Sequence, residues 1–201
     1  MLQLRNQFHI AFYSAALAIS ITVIVFTILQ RRTDRPQNRW FLLMMSIVAV
    51  NAATCTITAV TEPQIPESDI YYHIYITCQN LYFMIHTALC PTMYYWVLNV
   101  TGTARRRKNY VKLILAAPFI ITEVLTLFNP LLDIVFYYDD NMKFHRNWAE
   151  YLIYGAAGFY FILAVAEIMF SWKAINNRRR VAMTYFFTIA LAGVVIQFIN
   201  I

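Results

Sequence analysis

The chain has 201 residues, 60% of them hydrophobic and only 13% charged, with a mean hydropathy of +0.53. A soluble domain of this length carries far more polar surface, so the composition excludes one and points to lipid as the solvent. The net charge of +6 would invite nucleic acid in a soluble protein, but here the basic residues stand in short clusters between apolar segments, which is the pattern of membrane topology, and no nucleic-acid partner is expected.

A membrane-crossing helix takes about 20 apolar residues. Six apolar segments follow one another at about 9–30, 40–60, 71–100, 110–128, 148–172 and 181–201. They predict an all-α, polytopic transmembrane bundle of six spans, a single domain over 1–201 whose first partner is the lipid bilayer. The first segment is expected to be a span and not a cleaved signal peptide. Its apolar run from His9 to Leu29 is too long, and Arg31, Arg32, Arg35 and Arg39 hold its far end.

Of the sixteen Lys and Arg, four lie in this first loop. Five lie at the third loop (Arg105, Arg106, Arg107, Lys108, Lys112) and four at the fifth (Lys173, Arg178, Arg179, Arg180). Only Arg5, Lys143 and Arg146 fall on the other side. Lys and Arg in short loops resist translocation, so the odd loops are expected in the cytoplasm and the N-terminus outside, in a plasma or inner membrane. Trp40, Trp96 and Trp172 then mark the inner interface, and Tyr71, Tyr72, Tyr75, Trp148 and Tyr151 the outer one. This orientation puts the Asn99 sequon inside, away from glycosylation. Cys55, Cys78 and Cys90 lie in apolar segments without CxxC spacing and read as packing residues.

Polar residues at membrane depth are costly and are therefore functional candidates. The second segment carries Asn51, the third Gln79, Asn80 and His86, the fourth Glu123 and the fifth Glu167. At 1.5 Å per residue His86 lies roughly 20 Å below the outer start of its helix, where a neutral imidazole needs an internal partner. Its i+3 and i+4 neighbours, Leu89 and Cys90, make no metal site. His9, His73 and His145 fall near outer helix ends without motif spacing, so neither a metal nor any other cofactor is expected. Glu167 is expected to pair with a cytoplasmic arginine or to snorkel. No catalytic constellation is visible: Glu123 and Glu167 stand near opposite leaflets, and there is no phosphate loop or HExxH. The loop between the fourth and fifth segments mixes Phe136, Tyr137 and Tyr138 with Asp139, Asp140, Lys143, His145 and Arg146. So many aromatic residues predict a hairpin or lid over the outer end of the bundle.

Two stretches, LYFMIHTALCPTMYYWVLNVTG and FNPLLDIVFYYDDNMKFHRNWAEYLIYGAAGFYF, resemble the N-terminal seven-helix membrane sensor of bacterial histidine kinases and diguanylate cyclases. The resemblance runs from about residue 75 to the end. The matching positions are Tyr82, His86, Pro91 and Gly102, then Asn129, Pro130, Phe136, Tyr138, Asp139, His145 and Arg146. Where that pattern has Arg-Gly, this chain has Arg146 followed by Asn147. The resemblance implies a seventh span and a cytoplasmic kinase or cyclase domain beyond Ile201, a small-molecule or peptide signal, and a homodimer. Gln79, Tyr82, His86, Glu123, Tyr138, Asp139, His145 and Arg146 are the ligand-binding candidates. The competing expectation is a small transporter or channel component, which predicts repeats and helices broken near mid-membrane; only four glycines occur in the chain.

Overall fold

The computed structural model describes residues 2–30, 35–104, 107–139 and 143–199, with side chains omitted at 2–6, 66, 67, 178 and 190–199. Arg31, Arg32, Arg105 and Arg106 of the basic clusters, Asp140 of the hairpin, and Ile201 lie outside the described residues. The fold is all-helical. Its α-helices are α1 (Leu2–Leu29), α2 (Pro36–Thr61), α3 (Asp69–Thr87), α4 (Leu89–Thr101), α5 (Asn109–Leu132), α6 (Trp148–Ser171) and α7 (Asn177–Ile199). A 3-10 helix (Glu62–Glu67) leads into α3, and a two-stranded hairpin, β1 (Phe136–Tyr138) and β2 (Phe144–Arg146), links α5 to α6. Among the described residues four helical stretches are long and apolar enough to cross a membrane: Gln7–Leu29, Pro36–Ile65, Asn109–Leu132 and Trp148–Ala174. Their outward side chains are apolar, Phe170 being 91% exposed, as lipid contact requires.

The third apolar segment, expected as one span over 71–100, is two helices. Pro91 has no N–H to offer the Thr87 carbonyl and its ring crowds that oxygen, so α3 ends at Thr87 and α4 restarts with the Thr92 N–H donating to the Ala88 carbonyl at 3.1 Å. Within α5, by contrast, Pro118 leaves the helix continuous. The rung next to that proline is reached by a side chain from a neighbouring helix. The Tyr160 hydroxyl of α6 donates to the Leu115 carbonyl at 2.6 Å and accepts from the Phe119 N–H at 3.2 Å.

Local sequence explains the ends. Pro36 opens α2 after an extended Arg35, and the Ser68 and Asn147 side chains cap α3 and α6. Gly102 closes α4 at φ 81, a left-handed conformation that glycine adopts without strain. Polar side chains inside the helices satisfy themselves locally. Ser20, Thr27, Thr56 and Thr126 each donate to the carbonyl four residues back.

α2 packs against α1, α3 and α4, while α6 packs against α4 and α5, and α3 against α5. One core, around Tyr94, Val97, Leu98, Tyr160, Ala164 and Met183, joins α4, α6 and α7; a second, around Val135, Phe136, Ala149 and Ile153, holds the hairpin. The bundle therefore has a hairpin end and a basic end. At the basic end Arg107 reaches Glu167 at 2.7 Å, so Glu167 has the arginine partner expected of it, and Arg179 donates to the Val100 carbonyl at 3.3 Å.

Candidate functional site

Helix α3 is the spine of the site, because its polar residues recur on two adjacent faces. Tyr75, Gln79, Tyr82 and His86 follow the 4-3-4 spacing of one helical stripe, and Asn80, Phe83 and Thr87 follow the stripe beside it. The first stripe lines two cavities. The larger, about 630 Å³, lies between α1, α2 and α3, with His9, Tyr13, Cys55, Glu62, Tyr75, Gln79 and Tyr82 in its wall. The smaller, about 180 Å³, lies between α3, α5, α6 and the hairpin. Tyr82 belongs to both walls and stacks on His86, with ring centroids 5.1 Å apart. Asn51 of α2 stands behind His86, its Nδ2 3.3 Å from the ring Nδ1. With the amide donating there, the neutral ring carries its proton on Nε2.

The second stripe ties α3 to α5 and to the hairpin. The Thr87 hydroxyl donates to the Glu123 carboxylate beside the helix break, and Asn80 Oδ1 accepts from Asn129 Nδ2 at 3.4 Å. Asn129 also holds the hairpin: its Oδ1 accepts from the Val135 and Phe136 N–H groups at 2.7 and 3.2 Å, and its Nδ2 donates to the Phe136 carbonyl at 3.2 Å. Asp133, at φ 51, turns the chain between them. Phe83 stacks on Phe136, with centroids 4.7 Å apart.

Antiparallel register decides which hairpin residues reach the bundle. Phe136 pairs with Arg146, Tyr137 with His145 and Tyr138 with Phe144. Strand side chains alternate in direction, so Phe136, Tyr138, Phe144 and Arg146 share the inward face while Tyr137 and His145 share the other. Phe144 and Arg146 accordingly line the smaller cavity. Tyr138 is held by Tyr75, hydroxyl to hydroxyl at 3.3 Å, and by Gln79, and burial, followed by the Tyr75 hydrogen bond, pushes its phenol far above the usual range. His145 stacks on Tyr137 and its Nε2 lies 3.1 Å from Asp139 Oδ2. Asp139 Oδ1 accepts the Lys143 N–H at 2.8 Å.

Of the eight residues singled out in the sequence, Tyr82, His86 and Arg146 meet in the smaller cavity, and Gln79 and Tyr82 in the larger. Glu123 is engaged with Thr87, Tyr138 holds the hairpin to α3, and the Asp139–His145 pair tightens the hairpin turn. A ninth residue, Glu150, was not singled out. It stands in the first turn of α6, is 2% exposed and lines the smaller cavity, with Tyr154 donating to its Oε1 at 2.7 Å and Arg146 Nε 3.6 Å from the same oxygen. The one sequence signal for it was a carboxylate placed four residues before a tyrosine at the start of an apolar helix. Among the described residues no group of three or more His, Cys, Asp or Glu side chains is placed to hold a metal ion. Compared with protein-family models, with curated proteins and with solved structures, the chain matches none.

Proposed function

We propose that this chain is the sensory, ligand-binding module of a bacterial membrane signalling protein of the kinase or diguanylate cyclase kind. The observation that carries the reading is the position of the smaller cavity. It lies under the hairpin, between His86 and Glu150, and directly beside the break between α3 and α4. A ligand there touches α3, α5 and α6 together, and α4 runs from the break to the basic end, where Arg107 meets Glu167. Differential affinity for two packings of the broken helix is the physical requirement for passing a signal along it. The resemblance of the α3–α4 and hairpin stretches to bacterial sensors supports the same reading. We take the hairpin end and the N-terminus as external and the basic end as cytoplasmic on the distribution of Lys and Arg, six spans on the apolar segments, and a homodimer on the resemblance alone.

The test uses the purified chain in lipid nanodiscs, with spin labels on α4 and α6 near the basic end, and a small-molecule library screened by rise in melting temperature. A ligand that binds through His86 and changes the α4–α6 distance distribution upholds the reading. Ligands that bind there and leave every distance unchanged overturn it. Labelling of single cysteines from either side of sealed vesicles tests the orientation.

The helix break beside two cavities that share Tyr82 also favours a second reading, a small transporter, because broken helices at mid-membrane build transport sites. Ligand-dependent uptake into proteoliposomes separates the two: a sensor binds and does not translocate.

A further inference from the structure

The smaller cavity contains a carboxylate that its surroundings leave half satisfied. Glu150 Oε1 accepts from the Tyr154 hydroxyl and faces Arg146, but Oε2, buried, has no hydrogen-bond partner. An ionised carboxylate offers about four acceptor directions, and leaving one oxygen of a buried carboxylate empty is costly. Helix capping does not account for it. A glutamate at the third helical position ordinarily reaches back to the N-cap N–H, yet the Asn147 N–H already donates to the Val135 carbonyl at 2.8 Å. Nor does the arginine close the pair: at 3.6 Å, Arg146 Nε stands well outside the length of a charge-assisted hydrogen bond, and its guanidinium lies over the Tyr154 ring, 6.0 Å from the centroid.

The wall is rich in aromatic rings, which it combines with His86, Thr122, Arg146 and small aliphatic residues. Tyr82, Phe83, Phe144, Tyr154 and Tyr160 line the same cavity as the carboxylate. Ring faces and a carboxylate together are the chemistry that takes an organic cation, the rings through their negative faces and the carboxylate through a charged hydrogen bond. The volume, about 180 Å³, is slightly above that of a cavity known to hold benzene, about 150 Å³.

We propose that this cavity binds a small organic ammonium ion of about benzene size, its N–H donating to Glu150 and its hydrocarbon part lying against the aromatic wall. The proposal rests on reading the cavity as the ligand site of a sensor, and it names the ligand's chemistry.

The probes are benzylamine, benzyl alcohol and toluene, titrated by calorimetry against the whole chain in nanodiscs at neutral pH. In the wild type benzylamine is expected to bind about tenfold or more tighter than benzyl alcohol, a difference of about 1.4 kcal/mol. In Glu150→Gln that preference disappears while benzyl alcohol binding stays within about twofold, since only the charged bond is lost. Equal affinities for the three probes in the wild type, or an unchanged amine preference in Glu150→Gln, overturn the proposal. Ala157→Leu, which narrows the same cavity without altering Glu150, keeps the test decisive if Glu150→Gln fails to fold. It is expected to weaken benzylamine at least about tenfold, and undiminished binding places the amine elsewhere and ends the proposal. The two readings fail separately. Benzylamine bound with the predicted selectivity and no α4–α6 movement upholds the ammonium assignment and removes the sensor. Neutral library ligands that move α4 against α6, with no amine preference, do the opposite.

Discussion

The Tyr160 hydroxyl stands inside the backbone of a neighbouring helix, 2.6 Å from the Leu115 carbonyl to which it donates, while it accepts from the Phe119 N–H. Pro118 prevents a normal rung one residue earlier, and in a lipid solvent a freed backbone group must find a partner within the protein. Tyr160, 1% exposed, therefore stitches α5 to α6 just below the cavity it also lines.

Removing that hydroxyl takes two hydrogen bonds from the α5 backbone. Tyr160→Phe is expected to destabilise the fold by about 1–3 kcal/mol, read as a lower melting temperature in nanodiscs. Tyr94→Phe is the matched control. The Tyr94 hydroxyl is equally buried and has no partner, so its removal is expected to leave stability unchanged or raised. The ring that Arg107 overlies, 5.9 Å from the centroid, is retained. Equal losses in the two variants would show that the bonds to the α5 backbone add nothing beyond the loss of a buried hydroxyl.

Asn129 and Asn147 offer a second contrast. Asn129→Ala deletes three bonds to the hairpin backbone and leaves the Val135 N–H buried without a partner, at an expected cost of about 1–3 kcal/mol, with faster amide exchange at Val135 and Phe136. Asn147→Gly restores the glycine that the resembled pattern carries. It is expected to cost only a few tenths of a kcal/mol, because glycine is a tolerable N-cap. At Asn147 φ is −117, an ordinary extended conformation, so the position does not require glycine. A severe loss in Asn147→Gly, measured by the same melting experiment, would show that the side-chain bonds to Trp148 N–H and the Asp133 carbonyl dominate.

How much was legible beforehand depended on the range over which each signal acts. Apolar run length marked where the helices lie, though the third run holds two of them, and the aromatic residues between Phe136 and Arg146 announced the hairpin, because both follow from local burial. The pairing of Glu167 with an arginine was also readable, since a carboxylate at the end of an apolar helix has few other partners. The division at Ala88 was missed although Pro91 was in view, because a proline alone does not decide a break: Pro118 and Pro130 both lie inside a continuous helix. Glu150 was missed for the same kind of reason. A glutamate in a first turn ordinarily serves the cap, and only the hairpin register, which spends the Asn147 N–H on Val135, shows that it does not.

At the basic end Arg107 and Glu167 are 29% and 10% exposed, between a surface pair and a buried one. Ser171 adds a bond to the second carboxylate oxygen at 3.3 Å. Arg107→Ala and Glu167→Ala are each expected to destabilise, by about 1–3 kcal/mol. The double variant should lose less than the sum, because either single change leaves a charge without its partner. A double-mutant cycle by thermal melting checks this. Strict additivity would mean that solvent and lipid head groups already compensate both charges.

The helix break itself is testable through Pro91. Replacing it by alanine supplies an N–H that can bond the Thr87 carbonyl and removes the ring that crowds it, so α3 and α4 are expected to join into one helix. The continuous helix should be at least as stable as the broken one, since proline is the poorest residue inside a helix. Sensing should suffer, because the joint through which a ligand beside His86 moves α4 is then stiffened. Pro91→Ala is therefore expected to keep or raise the melting temperature, to bind benzylamine near wild-type affinity, and to lose the ligand-dependent change in the α4–α6 spin-label distance. If the distance change survives in a variant with a joined helix, the signal travels along α6 from Glu150 and not across the break. Labels on α5 and α6 alone would then report it.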